Sequence, residues 1–207
     1  RFCLTQANVD AANSGITMER NVSEANALQD SLKEHDIVLM NPPFVSWESM
    51  TAPEREEVRN ALDSLYSGRA DKAMAFIWKA IQQVKQGGVV ASVLPSSLFE
   101  TTSGTKWREA LLSCSELSLL GRFRGYGFFC GSTVEPGFAV LRRPGKDQIP
   151  DRRRPVRVIV ADEGAEEAAI RGLRQHSDLQ AAGREKGWEL FESNPGNISS
   201  ANWLPRS

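Results

Sequence analysis

Cysteine, histidine and long apolar runs are what this chain has least of. Its 207 residues hold three cysteines, Cys3, Cys114 and Cys130, and two histidines, His35 and His176. The cysteines are far apart and odd in number, and no CxxC pair or Cys/His ligand spacing occurs. The pattern argues against a zinc site, and no metal is expected. Neither histidine has a patterned partner, so both read as polar surface residues rather than catalytic ones. Free cysteines suit a reducing, cytoplasmic setting. No apolar run approaches the roughly 20 residues of a membrane helix, and no membrane partner is expected. The opening residues show no charged n-region leading into an apolar h-region. An excess of either charge is also missing: the net charge is −1, which does not advertise nucleic acid. The distribution is less even. Arg142, Arg143, Lys146, Arg152, Arg153, Arg154 and Arg157 crowd a stretch opposed only by Asp147 and Asp151. Such a run reads either as a phosphate-holding patch or as a solvated loop between strands.

What is present is an ordinary globular composition, 41% hydrophobic and 25% charged, enough for one core-bearing domain or one domain with an extension. A helix is predicted over 4–13 and a short strand over 16–18. Asp36-Ile-Val-Leu-Met40 is a strand-length apolar run behind an acid, expected to be buried on both faces of a parallel sheet. It must stop at Pro42 and Pro43, which cannot donate to a ladder. Pro53–Leu65 reads as a helix capped by Thr51. Lys72–Val84 follows with Met74, Ile77, Trp78 and Ile81 at helical spacing, ended by Gly87-Gly88. Val89–Leu94 is a second buried strand closed by Pro95. Thr105–Leu112 and Glu163–Arg174 read as helices, and Leu117–Phe123, Phe138–Arg142 and Val156–Val160 as strands. The tail from Gly187 reads as irregular. Strands alternating with helices imply an α/β sandwich whose ligands bind beyond the carboxyl ends of the strands. Asn41 and Pro95 are therefore expected to share one crevice.

Asn41-Pro42-Pro43-Phe44, set after a buried strand, resembles the amino-nitrogen motif of the N6-adenine DNA methyltransferases of restriction-modification systems. The ordered stretches Asp71–Gly88, Gly88–Phe99 and Phe128–Leu141 resemble the helix, strand and loop that follow in that family, and the likeness covers residues 5–143. It implies a partial Rossmann-like methyltransferase sheet, mainly parallel with an antiparallel C-terminal strand, flanked by helices. It also implies S-adenosylmethionine as the methyl donor and a flipped adenine of DNA as substrate. Residues 1–143 are then the catalytic portion, and 144–207 an extension towards a target-recognition region.

The residue types suit that chemistry. The lone pair of an aromatic amino group is delocalised into its ring. Two acceptors fixed on its N–H groups localise the pair. Asn41 offers a side-chain carbonyl and Pro42 a backbone carbonyl. The prolines hold φ near −65° and extend the residue before them, so the acceptors are aimed in advance. Phe44 is expected to stack on the base, and by resemblance Phe129 holds another face or edge of it. Asp36 reads equally as a strand-edge charge or a pocket residue, Trp47 as packing rather than rim, and Pro95-Ser96-Ser97 as a loop opening.

The family's first strand and its Gly-rich turn have no counterpart: residues 1–35 contain no GxG. The acid that usually holds the cofactor's ribose is also missing. Asn26 stands where the family shows another acid, followed by Ala27; with Asn41 these are the implied cofactor contacts. The chain thus reads as a piece lacking its cofactor half, inactive alone. Strand 36–40 is then expected as an open edge covered by another chain or by the missing N-terminal part. Two other readings stand beside DNA methylation. One is the same chemistry on a protein glutamine or on guanine N2 of RNA. The other is a non-catalytic, nucleic-acid-binding or partner-dependent subunit.

Overall fold

The structure, a computed structural model, describes residues 26–30, 34–125, 134–175, 183–193 and 198–204. The helix predicted over 4–13, the strand over 16–18, and Cys3, Phe128, Phe129, Cys130 and His176 lie outside them. Seven strands form one sheet: β1 (His35–Met40), β2 (Val84–Pro95), β3 (Glu116–Phe123), β4 (Pro136–Arg142), β5 (Val156–Ala161), β6 (Gly183–Glu185) and β7 (Trp188–Ser193), in the order β1-β2-β4-β3-β5-β7-β6. β1 with β2 and β3 with β5 pair in parallel; the other four pairings are antiparallel. Five strands (β1, β2, β3, β5 and β6) therefore run one way, while β4 and β7 run against them. The fold is α/β and Rossmann-like, as expected. Its antiparallel strand β4 sits inside the sheet, between β2 and β3.

Among the described residues four helices flank the sheet: α1 (Ala52–Leu62), α2 (Lys72–Gln83), α3 (Thr105–Cys114) and α4 (Glu166–Gln175). Thr51 caps α1 in a capping box with Glu54, satisfying two orphan donors. Asp63, at φ 46°, stops the helix three residues before the predicted end. Asp71 caps α2, whose Met74, Ile77 and Ile81 are buried against the sheet. The main core lies on this face, with Val58, Leu62, Trp107 and Leu111 from α1 and α3. A second, smaller core forms where α4 covers Ile159, Trp188 and Leu190 on the other face.

Three expectations need correcting. Gly87-Gly88 does not end the helix. α2 stops at Gln83 and Val84 is already extended; both glycines lie within β2, where Gly87 has φ 82° and donates to the carbonyls of Arg143 and Pro144. The tail from Gly187 is not irregular. Trp188 and Leu190 alternate with exposed or half-buried residues, and β7 folds back on β6 through Lys186-Gly187. Nor is β1 buried on both faces. Val38 and Met40 pack against the core, but Ile37 is 63% exposed and Leu39 77% exposed. Among the described residues β1 pairs with β2 alone, and no helix covers its second face. Residues 144–207 supply β5, β6 and β7 to the same sheet as β1–β4.

The tail also closes the main core. Trp203 is fully buried, 5.7 Å from the ring of Trp107 and 6.5 Å from that of Phe99. Its backbone N–H donates to the carbonyl of Phe99. Trp203→Ala is expected to destabilise these 207 residues by about 3–5 kcal/mol in urea unfolding. Leu39→Ser, on the bare face, should change stability by less than ~1 kcal/mol and reduce light scattering. A larger effect at Leu39 than at Trp203 would contradict this assignment of core and surface.

Candidate functional site

Asn41-Pro42-Pro43-Phe44 leaves the sheet at the carboxyl end of β1. Asn41 and Pro43 are exposed, Pro42 is buried and Phe44 is half-buried. The register pairs Met40 with Ser92; continued past the end of β1, it sets Pro43 level with Pro95. Asn41 and Pro95 thus leave the sheet at the same carboxyl end, and the cavity at Asn41 is lined by neither Pro95 nor Ser96. The chain after Phe44 is fastened at once: the carbonyl of Val45 accepts from Lys72 N–H at the start of α2. Trp47 packs rather than forming a free rim. Its ring lies 5.2 Å from Tyr66, and the Arg55 guanidinium stands over it at 5.4 Å.

Two perturbed acids stand at the starts of the neighbouring helices, Asp71 capping α2 and Glu54 in the first turn of α1. Asp71 accepts from Ala73 N–H, but burial pushes its carboxyl up to about 6. Glu54 takes the Lys72 ammonium at 2.8 Å, and that bond, with those from Thr51, holds its carboxyl down at about 2. Neither acid lines the crevice at Asn41.

A cavity of about 310 Å³ runs beside the motif between β1 and α2. Ala27, Val38, Met40, Asn41, Pro42, Pro43 and Phe76 line it. The walls are mainly apolar, with the Phe76 and His35 rings, Lys79 and Gln83 among them and no carboxylate, and would accept a flat, largely apolar ring. Phe76 stands outside the Met74, Ile77, Trp78 and Ile81 set, and no sequence signal marks it as a cavity wall.

The other candidates lie elsewhere. Asn26 turns its amide to Glu57 at 2.9 Å, accepts from Leu28 N–H, and does not line the cavity. Phe129 falls outside the described residues. Asp36 pairs with Lys85 at 3.0 Å, at the amino end of β1, and this hydrogen bond lowers its carboxyl. The basic run occupies the amino-terminal end of the sheet. Arg142 pairs with Val89, six residues below the Pro95–Pro136 pair, about 20 Å from the crevice. Arg143 there donates to the carbonyls of Gln82 and Val84, and Arg154 bonds Glu116. Arg142, Lys146, Arg152 and Arg153 are exposed.

An α/β sheet of this order, with a proline-ended strand and an adjoining cavity at its carboxyl end, defines the fold of class I S-adenosylmethionine-dependent methyltransferases. Solved structures bear this out. The chain superposes on the type IIG restriction endonuclease BpuSI with a TM-score of 0.59 and 17% identity, covering 81% of this chain and 20% of that one. A Listeria monocytogenes protein described as a class I S-adenosylmethionine-dependent methyltransferase gives 0.52 and 15%, covering 72% and 45%. The chain belongs to the Eco57I restriction-modification methylase family, whose model matches residues 4–129. It is 28% identical over 119 residues to the type II restriction enzyme and methyltransferase RM.Eco57I of Escherichia coli, covering 56% of this chain and 12% of that protein. It is also 28% identical over 82 residues to the type II methyltransferase M.HincII of Haemophilus influenzae, covering 39% and 16%. The chain therefore spans under a fifth of the length of these two relatives.

Asp71 gives a pH test. Its folded pKa of about 6 lies above the usual aspartate range, so the folded state holds its proton longer and stability falls as pH rises from about 4 to about 6. Asp71→Asn keeps a cap and removes the charge. It should flatten that decline and stabilise the fold at pH 7 by about 1–3 kcal/mol in urea melts. Destabilisation at pH 7 would show that the charge is wanted.

Proposed function

We propose that this chain is the amino-group half of a DNA methyltransferase that transfers methyl from S-adenosylmethionine to adenine N6, within a restriction-modification or phage-defence system. The observation that carries this reading is the place of Asn41 and Pro42, held beyond β1 by the ladder below and by the Val45–Lys72 bond above. Family membership and the relatives named methyltransferases support the DNA substrate.

In this reading the target base is flipped out of the duplex into the crevice. The Asn41 side-chain oxygen and the Pro42 carbonyl accept from its two N–H groups and localise the nitrogen lone pair. Phe44 stacks on the ring, offsetting about 1–3 kcal/mol of the unstacking cost. Phe129 is proposed to hold a further face. The sulfonium donor, when bound beside Ala27, Asn41 and Phe76, supplies the methyl for a direct displacement. The protein's task is then positioning, and no strong general base is required. Residues 1–143 act as the catalytic portion and 144–207 as an extension. The uncovered β1 is met by the remainder of the protein or a partner chain, and the setting is cytoplasmic. The exposed basic residues 20 Å below the crevice, if they meet DNA, do so away from the reacting base.

The test is labelled methyl transfer by the full-length protein to DNA, RNA and protein in parallel. DNA alone should be labelled. Asn41→Ala should lower the rate at least about 100-fold, comparable to losing an oxyanion donor, with the melting temperature nearly unchanged. Label on protein or RNA alone would refute the substrate, and full activity of Asn41→Ala the mechanism.

A further inference from the structure

Glu135 stands one residue before β4 and gathers the carboxyl ends of β2 and β3 at the amino end of β4. Its carboxylate accepts from the Arg122 guanidinium of β3 at 2.9 Å, from the Ser96 hydroxyl just after β2 at 3.4 Å, and from Gly125 N–H just after β3 at 3.5 Å. Its backbone carbonyl accepts from Ser96 N–H at 2.9 Å. Arg122 also reaches towards Glu100 of the loop after β2, at 4.0 Å. The pair is largely shielded, Glu135 being 22% and Arg122 29% exposed, so it is worth more than an ion pair in open water. Burial works to raise the Glu135 carboxyl, but the Arg122 bond and the two further donors outweigh it and hold it below the usual range. The carboxylate thus stays charged and the pair stays made at neutral pH.

The place of this knot gives it meaning. Pro43 is level with Pro95, and Pro95 pairs with Pro136, so Glu135 lies two strand spacings, about 10 Å, across the sheet from the Asn41–Phe44 column. Glu135 bonds both the loop after β2, at Ser96, and the chain leaving β3, at Gly125; Arg108 separately holds the Leu98 and Thr101 carbonyls of that loop, and Arg122 reaches Glu100.

We propose that Glu135 is a positioning residue for the crevice: through Arg122, Ser96 and Gly125 it fixes the strand-end loops that flank Asn41–Phe44, and so sets how the substrate base is received. The proposal rests on the methylation reading above. Misplacement of such walls by about 1 Å is enough to cost on the order of 100-fold in rate.

The experiment uses the full-length protein with Glu135→Ala and Glu135→Gln. Three readouts are taken: KM and kcat for DNA by labelled methyl transfer, S-adenosylmethionine affinity by calorimetry, and amide exchange at Gly125 and through 96–101. Glu135→Ala should raise the DNA KM at least tenfold, change cofactor affinity less than twofold, and speed exchange at those amides at least fivefold. Glu135→Gln keeps an acceptor without the charge and should fall between. An unchanged KM in both variants overturns the proposal, as does a cofactor affinity that falls in step with KM. A wild-type protein that methylates no DNA overturns the functional reading instead. The exchange arm then decides the knot alone: faster exchange confined to these loops supports it, unchanged exchange refutes it.

Discussion

A proline nitrogen has no proton to donate, and two of them follow the last ladder-forming part of β1. The strand pairs with β2 up to Met40 and must leave the sheet within the next two residues. Because the β1–β2 register is fixed below this point, the exit point is fixed as well. The acceptors of Asn41 and Pro42 inherit their position from the ladder rather than from a free loop. The Lys72–Val45 bond then holds the chain from the far side. The crevice, the cavity between β1 and α2, and the neighbouring turn at Ser96 all depend on that exit.

Much of this was legible because it is local. A five-residue apolar run ended by Pro-Pro, a helical stripe at Met74, Ile77 and Ile81, and a second run ended by Pro95 each carry their own start and stop signals. Thr51 announced a helix cap and formed one, in a capping box with Glu54. What was not legible depends on partners distant in sequence. Gly87-Gly88 looks like a helix terminus until Arg143 and Pro144 arrive to accept from Gly87. Trp188 and Leu190 form a strand only because β5 offers them an edge. Phe76 becomes a cavity wall only because β1 is laid against α2. Glu135 carries no motif at all; three loops define it.

The two faces of β1 are unlike, and this bears on what the chain does. One face packs on α2 and completes the cavity. The other leaves Ile37 and Leu39 in solvent, forgoing roughly 1.5–3 kcal/mol for each side chain that full burial would contribute. The same strand offers unpaired backbone groups along its free edge among the described residues. The cavity, meanwhile, has apolar walls for a ring but no carboxylate for a ribose. On the proposed reading these features agree: Asn41 and Pro42 supply the amino-group acceptors, and no acid for a ribose lines the cavity.

The central claim is that Asn41 and Pro42 receive an adenine amino group. The most direct measurement is nucleoside mass spectrometry of DNA from cells carrying the full-length protein, beside cells carrying Asn41→Ala. The account predicts N6-methyladenine in the first and its loss in the second. N4-methylcytosine in place of N6-methyladenine, or N6-methyladenine undiminished by Asn41→Ala, would contradict it.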